Sequence, residues 1–451
     1  MKKKIFFPSD FTETIFPVKK IEKVIFGALA AADPYLAVHD QIHRSEGQLF
    51  IADRVYKINS YTRIIIIAIG KASLAMVDAV NEKIGPLISQ GICVCKKNPR
   101  GRKRIGNIEI MIGGHPVPDQ NSVIAGDKIL QSLKMLSRDD IVLLLISGGG
   151  SALVCNPAKG ISLDEIQSLT KDLLKSGATI NELNAVRKHL DILKGGGLLK
   201  MAVPAQLIGF VISDVVDNPL DVIASGPAVP DPTTYHEAMN IITKYLPREK
   251  IPAKIIERFE RGIKGNEEES LKPDDPLTKN AYHKIVASNI SSVSSAIIVA
   301  AQQGFHAQAI TTRLTGEASS AGVYLANILK EVPAEKFSFL GIAGGETTVK
   351  VKGNGLGGRN LEVALAAVKP MDGLKDALLI TFASDGEDGQ TDAAGAFVTG
   401  NTFQKALEMG LDPDLYLENN DSYHFFKKVG GLIITGSTGT NVNDLNFIFR
   451  L

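Results

Sequence analysis

Lysine, arginine, serine and carboxylates gather at a few points of this 451-residue chain, beside glycines, in patterns that suit the handling of small anions. Lys71 follows the run "IIIIAIG", at the expected first turn of a helix, where the helix dipole disfavours a cation. Local stability does not explain it there, whereas an anion held at that helix end would; an exposed lysine with its charge in water is the equal alternative. "LLLISGGGS" ends in Gly148, Gly149, Gly150 and Ser151. Bare glycine lets backbone N–H groups approach an anion, and a following helix adds its positive end, which makes a cradle for phosphate or carboxylate. A tight strand-to-helix turn would need only one or two of those glycines. "GNGLGGRN" matches G-x-G-x-x-G at Gly353, Gly355 and Gly358. The strand expected before it alternates, and no strand-terminal acid follows at about 20 residues to hold a ribose, so a dinucleotide fingerprint is not supported. Arg359 is the more informative residue, because a guanidinium fork suits bidentate contact with carboxylate or phosphate. "ASDGEDGQTDAAGA" places Asp385, Glu387, Asp388 and Asp392 within a short turn. Such carboxylates suit a hard cation such as Mg²⁺, held by one or two of them with substrate phosphates, with a solvated acidic turn as the competing reading.

These residues need elements to position them. The stretches 64–69, 92–95, 108–112, 141–146 and 206–214 read as buried strands, alternating with helices after Lys71 and Asn121 and around 162–175 and 181–191, as in a βαβ sheet. Val18 to His43 has helical spacing broken at Pro34. In open α/β sheets ligands bind beyond the carboxyl ends of strands. That rule selects Gly70 and Lys71, Gly148 to Ser151, Ser213, Asp214 and Asp217, Gly344, Gly345 and Glu346, and Ser384, Asp385, Gly386 and Asp388. A charged, proline-marked region from Tyr235 to Asp275 is where the domain boundary is expected, drawn as 1–250 and 251–451. Beyond it, "HKIVASN", "HAQAITT", "KFSFLGIAGGE", "TTVKVKG" and "ALLITFASDGEDG" read as strands of a second α/β domain, with the alternating "TTVKVKG" pointing to a mixed sheet.

Composition narrows the partners. With 50 basic against 49 acidic residues there is no field to recruit nucleic acid or an anionic membrane surface, and small molecules are the expected partners. No apolar stretch approaches the roughly 20 residues of a membrane span. The amino-terminal "MKKKIFFPSDFTETIF" is interrupted by Pro8, Asp10 and Glu13, unlike a signal peptide. Three cysteines, Cys93, Cys95 and Cys155, favour a reducing compartment, so the expected location is the cytoplasm. His39 and His43 have the i, i+4 spacing of a zinc helix without its glutamate, and are set aside.

The ordered blocks "IAIGKAS", "GGHPVPDQNS", "LISGGGSAL", "NAVRKHLDILKGGGL", "ISDVVDNPLDVIASGPAVPDPTT", "GGETTVKVKGNGLGGRNLE", "SDGEDGQTDAAGA" and "TGSTGTNVNDL" together resemble the glycerate 2-kinase family, whose carboxyl-terminal part is the MOFRL domain, here about 335–445. The resemblance implies two α/β domains: an N-terminal Rossmann-like one with a largely parallel sheet and a smaller C-terminal one with a mixed sheet. It implies an active site in the interdomain cleft and ATP-dependent phosphorylation of D-glycerate at the 2-hydroxyl with a divalent metal. The family's functional lysine and arginine correspond to Lys71 and Arg359. Phosphoryl transfer depends on positioning and charge neutralisation. Lys71, Arg359 and Mg²⁺ would supply the charge, and the turns with Gly148, Gly149, Gly150, Ser151, Gly357 and Gly358, alongside Glu346 and Asn360, would hold phosphate or substrate. Asp214 is the candidate to orient or deprotonate the hydroxyl, and Asp385 and Asp388 are the candidate metal ligands. An NAD(P)H-dependent hydroxypyruvate reductase is the alternative. The donor stays open among ATP, another nucleotide and pyrophosphate, as does the oligomeric state, a homodimer included.

Overall fold

A computed structural model describes residues 16–333 and 338–451, so the amino-terminal stretch weighed as a signal peptide lies, up to residue 15, outside the described residues. The chain divides into two compact units. The first holds Pro34–Ser213 and Asn218–Val286; the second holds the described residues up to Asp33, Asp214–Asp217 and Ala287–Leu451.

The first unit opens with a three-stranded antiparallel meander, β1 (Ile42–Ser45), β2 (Gln48–Ile51) and β3 (Arg54–Lys57), which the sequence reading did not contain. Its main sheet uses β4 (Ile64–Ile69), β5 (Ile88–Cys95), β6 (Arg104–Ile105), β7 (Ile108–Ile112), β8 (Ile141–Ile146), β9 (Gln206–Ile212) and β10 (Ala281–Ala287), in the order β10-β9-β8-β4-β5-β7-β6. The run β9-β8-β4-β5-β7 is parallel, and β6 is an antiparallel two-residue edge. Every residue of β4 and β8 is buried, as expected of strands covered on both faces. Their register, Ile64 opposite Ile141 through Ile69 opposite Ile146, sets their carboxyl ends level. Gly70 and Ser147 therefore lie side by side. A Cβ on Gly70, whose φ is +140°, would stand 2.1 Å from Ser147 Oγ and 2.6 Å from its carbonyl oxygen. The contact is closed by Ser147 N donating to Ile69 O (3.0 Å) and Ala72 N donating to Ser147 Oγ (3.0 Å).

The boundary expected near residue 250 falls elsewhere, for a packing reason. Helices Tyr235–Tyr245 and Ala253–Ile263 share one core with helices Leu163–Lys175 and Ile180–Leu190, through Leu169, Leu183, Val186, Tyr235, Ile255 and Phe259. "HKIVASN" is not the first strand of the second sheet: as β10 it neighbours β9, with His283 lying over Gly209, whose added Cβ would meet Nδ1 at 2.3 Å.

The second unit has a six-stranded sheet of β11 (His306–Glu317), β12 (Phe339–Thr348), β13 (Ala377–Ala383), β14 (Gly395–Thr399), β15 (Leu432–Ile433) and β16 (Asp444–Arg450), in the order β11-β12-β16-β13-β14-β15. Only β11 and β12 pair in parallel; β16 runs antiparallel to β12 and β13 between them. The sheet is mixed for that reason. The expected strand "TTVKVKG" ends at Thr348, because the amides that follow turn to another partner described below. One face packs on helices Val18–Ala30 and Asn289–Gln302, the other on helices Ala318–Glu331, Arg359–Ala367 and Ser422–Val429.

Two stability predictions follow from these contacts. Gly70→Ala should lower unfolding free energy by about 1–3 kcal/mol more than Gly101→Ala, because both need positive φ but only Gly70 meets atoms within 4 Å; urea unfolding measures the difference. His283 Nε2 donates to Ala228 O at 2.8 Å, and burial lowers its pKa to about 4. The unfolded chain takes up that proton near pH 6.5, so this stabilisation is complete above about 6.5 and lost as pH falls towards 4. His283→Gln should shrink the drop in melting temperature between pH 7 and pH 5.

Candidate active site

In the first unit the carboxyl ends of β4, β5, β7 and β8 bring together residues that the sequence scatters. Lys71 is exposed, and its amide donates to Gly148 O at 3.0 Å. Gly149 has φ +87°, and a Cβ there would stand 3.0 Å from His115 Cδ2 and Nε2 and 3.3 Å from Lys71 Cγ. The bare backbone thus makes room for an imidazole and a lysine stem. Burial, with Lys71 and Lys96 adding to it, lowers the His115 pKa to about 4, so the ring is neutral at physiological pH. Its Nδ1 is buried without a hydrogen-bond partner among the described residues. Two ammonium groups and an uncharged imidazole make this corner suited to a polyanion.

Gly150 and Ser151 continue the same turn. A Cβ on Gly150 would press on Ala224 Cβ at 2.7 Å. Ser225 Oγ donates to Asn184 Oδ1 (3.0 Å), so its one proton is used and Ser151 Oγ donates to Ser225 Oγ (2.7 Å). Ala224 and Ser225 hold φ of +52° and +59°, the kind of strain that persists where the surroundings over-determine the backbone. The helix expected after the glycines is a single turn, Gly150–Leu153, which reduces the dipole contribution assigned to it. Asp214 lies just past β9, half-buried, and belongs to the second unit.

In the second unit Arg359 opens the helix Arg359–Ala367. Its Nη1 donates to Glu346 Oε1 at 2.6 Å and its Nη2 to Asp444 Oδ1 at 3.2 Å, while Nε lies 2.6 Å from Asp444 Oδ2. Against burial, Asp444 and Glu346 raise the pKa of the guanidinium. Burial pushes the Asp444 carboxyl up, and Arg359 pulls it back. Asn360 is 1% exposed, and its Nδ2 bridges Asp388 Oδ1 (3.2 Å) and Asp444 Oδ1 (2.9 Å). The structure gives Asp388, a candidate metal ligand, another job. It is buried, and its two oxygens accept from the amides of Asn360 (3.1 Å) and Leu361 (2.8 Å), so it caps this helix. Gly358 is bare for that approach, since its Cβ would meet Asp388 Cγ at 2.4 Å.

The glycine loop is shaped by protein contacts as well. The amides of Lys352 and Gly353 donate to Asn420 Oδ1, that of Asn354 to Asn419 Oδ1, that of Gly355 to Asn419 O and that of Leu356 to Asp421 Oδ1. These bonds end the strand once expected over "TTVKVKG". Gly357 is bare against Ser422 Oγ, which a Cβ would meet at 2.3 Å.

Among the described residues no group of three or more histidine, cysteine or acidic side chains is placed to hold a metal. Mg²⁺ needs less than that, since one or two carboxylates with substrate phosphates suffice. Asp385 is placed for such a role: it is half-buried just past β13, and its Oδ1 accepts from the Glu387 amide at 3.2 Å. Asp388 does not, with both oxygens engaged. Sequence reasoning missed Asp444 and His115. Asp444 begins a strand in which only Asn446 and Arg450 are also polar, and His115 lies three residues past β7, at the carboxyl edge where ligands are sought.

The model described as "Domain of unknown function (DUF4147)" matches residues 20–260, and the MOFRL family model matches residues 339–444. The chain is 40% identical to the glycerate 2-kinase of Pyrococcus horikoshii over 94% of its length and 95% of that protein. It is 43% identical to the D-glycerate 2-kinase of Thermotoga maritima, over 85% and 89% of the two chains. The crystal structure of a Thermotoga maritima glycerate kinase superposes with a TM-score of 0.82 at 38% identity, covering 96% of this chain and 99% of that one. A relative in Agrobacterium vitis, 35% identical over 95% of this chain and 93% of its own, carries the name putative hydroxypyruvate reductase. Likeness at this level along nearly the entire sequence and fold places the chain in the glycerate kinase family.

Proposed function

We propose that this protein is a glycerate 2-kinase, which transfers the γ-phosphoryl group of ATP to the 2-hydroxyl of D-glycerate, giving 2-phosphoglycerate and ADP. The observation that carries this reading is the 43% identity to a D-glycerate 2-kinase over 85% of the chain. The cationic corner of Lys71 and Lys96 around neutral His115 supports it, because a phosphoryl group in flight needs fixed positive charge more than covalent help. In this reading Lys71 neutralises donor phosphate, and the turn Gly148–Ser151 lets it approach the backbone. Arg359, oriented by Glu346 and Asp444, contributes a second cation. The 2-hydroxyl attacks the γ-phosphorus as the bond to the ADP oxygen breaks, and the hydroxyl proton passes to Asp214. A divalent cation such as Mg²⁺, held by Asp385 with the phosphates, would add charge neutralisation. Gly357, Gly358 and Asn360 serve in this assignment by fixing the start of the Arg359 helix rather than by touching phosphate.

The chemistry speaks against the reductase name. The glycine loop spends its amides on Asn419, Asn420 and Asp421, which leaves it unlike a pyrophosphate-binding turn. We place the protein in the cytoplasm: its three cysteines are free and buried, and no helix among the described residues is long and apolar enough to cross a membrane.

Lys71→Ala and Arg359→Ala should each lower glycerate-dependent ADP release by about 100- to 1000-fold with unchanged circular dichroism. Normal turnover in either variant removes that residue from the mechanism. Phosphorus NMR of the reaction with D-glycerate should show one new ester at the 2-position with ATP and none with pyrophosphate. Hydroxypyruvate with NADH should show no loss of nicotinamide absorbance; a steady loss would favour the reductase.

A further inference from the structure

Arg187 lies on the helix Ile180–Leu190, in the first unit, half-buried. Among the described residues no hydrogen bond or ion pair reaches its guanidinium, and burial lowers its pKa. Neighbouring charges are already taken. Arg258 donates to His189 O, to Glu267 and to the Tyr235 hydroxyl. The acid on the next turn, Asp191, accepts from Lys194 Nζ and from the amides of Asn156 and Leu193. Glu182, on the same helix, bonds Lys244 and Tyr245. A charge partly withdrawn from water without a partner carries a desolvation cost that a bound anion would offset.

Its surroundings say what that use is. Arg187 lines a small recess together with Ser151 and Thr170 on the polar side and Pro118, Ala152 and Ile166 on the apolar side. Lys194 and Asp191, which also line it, cancel each other. The Cys155 thiol at its wall is pushed up to about 12 by burial and stays neutral. One uncompensated positive charge therefore faces the recess, which matches a carboxylate rather than a nucleotide's phosphates. Ser151 connects it to the cationic corner, because it stands two residues after Gly149, at most about 7 Å along the backbone from where Lys71 and His115 meet.

We propose that Arg187 is the carboxylate anchor for a small 2-hydroxy acid, taking the substrate's carboxylate in the recess so that its hydroxyl lies towards Gly149 and Lys71. The inference deepens the kinase reading and rests on it for the identity of the acid as D-glycerate. The polar line Ser151–Ser225–Asn184 ties the turn to the helix that carries Arg187, and the left-handed Ala224 and Ser225 are held in place by it.

The test uses the full chain and the variants Arg187→Ala, Arg187→Gln and Arg187→Lys, the second of which keeps most of the buried volume if the first fails to fold. KM for D-glycerate should rise by about one to two orders of magnitude in Arg187→Gln, with KM for ATP within about twofold of wild type and Arg187→Lys between. Glyceramide, the uncharged analogue, should be a much poorer ligand than D-glycerate for wild type, and this preference should collapse in Arg187→Gln. A purely structural role would not move that preference. An unchanged KM for glycerate in the folded variant, or a rise confined to ATP, overturns the proposal while leaving the kinase reading intact. If wild type shows no phosphorylation of glycerate, the kinase reading fails, and calorimetry with D-glycerate and lactate against wild type and Arg187→Gln decides the anchor separately: equal heats overturn it, and heat seen only in wild type supports it.

Discussion

The level ends of β4 and β8, with Gly70 pressed against Ser147, are the constraint on which the chemistry at this edge depends. Two saturated strands fix their register through burial on both faces, and that register leaves no room for a side chain at position 70. The next residues inherit the geometry. Lys71 donates its amide to Gly148 O, and Gly149 then passes close enough to His115 and Lys71 that a side chain there would crowd both. Lys71, which lies two residues before the helix Ser73–Ile84 rather than in its first turn, is thereby held beside an imidazole that stays neutral above about pH 4, and the cost of that crowding is borne by the hydrophobic registration beneath it.

The second unit solves a similar problem with buried charge rather than with close backbone. Asp388 and Asp444 are almost fully enclosed, and each is engaged: one by the amides that open the Arg359 helix, the other by its ion pair with Arg359 and a hydrogen bond from Asn360. Removing either partner of such a pair would strand a charge, so the helix, the arginine and the two acids act as one piece. Arg359 is consequently aimed by its partners before any ligand arrives.

Much of this was legible in the chain, and the reasons for the rest are physical. Strands β4 and β8 announce themselves because burial on both faces demands unbroken aliphatic runs. The meander β1–β3 does not, since its short strands are largely exposed and carry no such signature. The expected boundary near residue 250 failed because four helices far apart in sequence share a core, and only tertiary packing reveals that. Lys71 and Arg359 could be singled out by their neighbours. The capping role of Asp388 could not, because it depends on a helix nearly thirty residues upstream meeting it in space. Arg187 was hidden for the opposite reason: Asp191, four residues on, has the spacing of a helical ion pair, and only the fold shows that it is engaged elsewhere.

The place of β16 carries a consequence for how the polypeptide comes to be made. The seven strands of the first sheet have all left the ribosome by residue 287, whereas the second sheet lacks its inner strand until residue 450 has emerged. Until then β12 and β13 present unpaired edges, and the helix Val18–Ala30, made long before β16, has yet to receive the sheet it covers. The nascent chain must therefore shelter that helix while waiting for β16, an interval in which a chaperone is the natural guardian against aggregation.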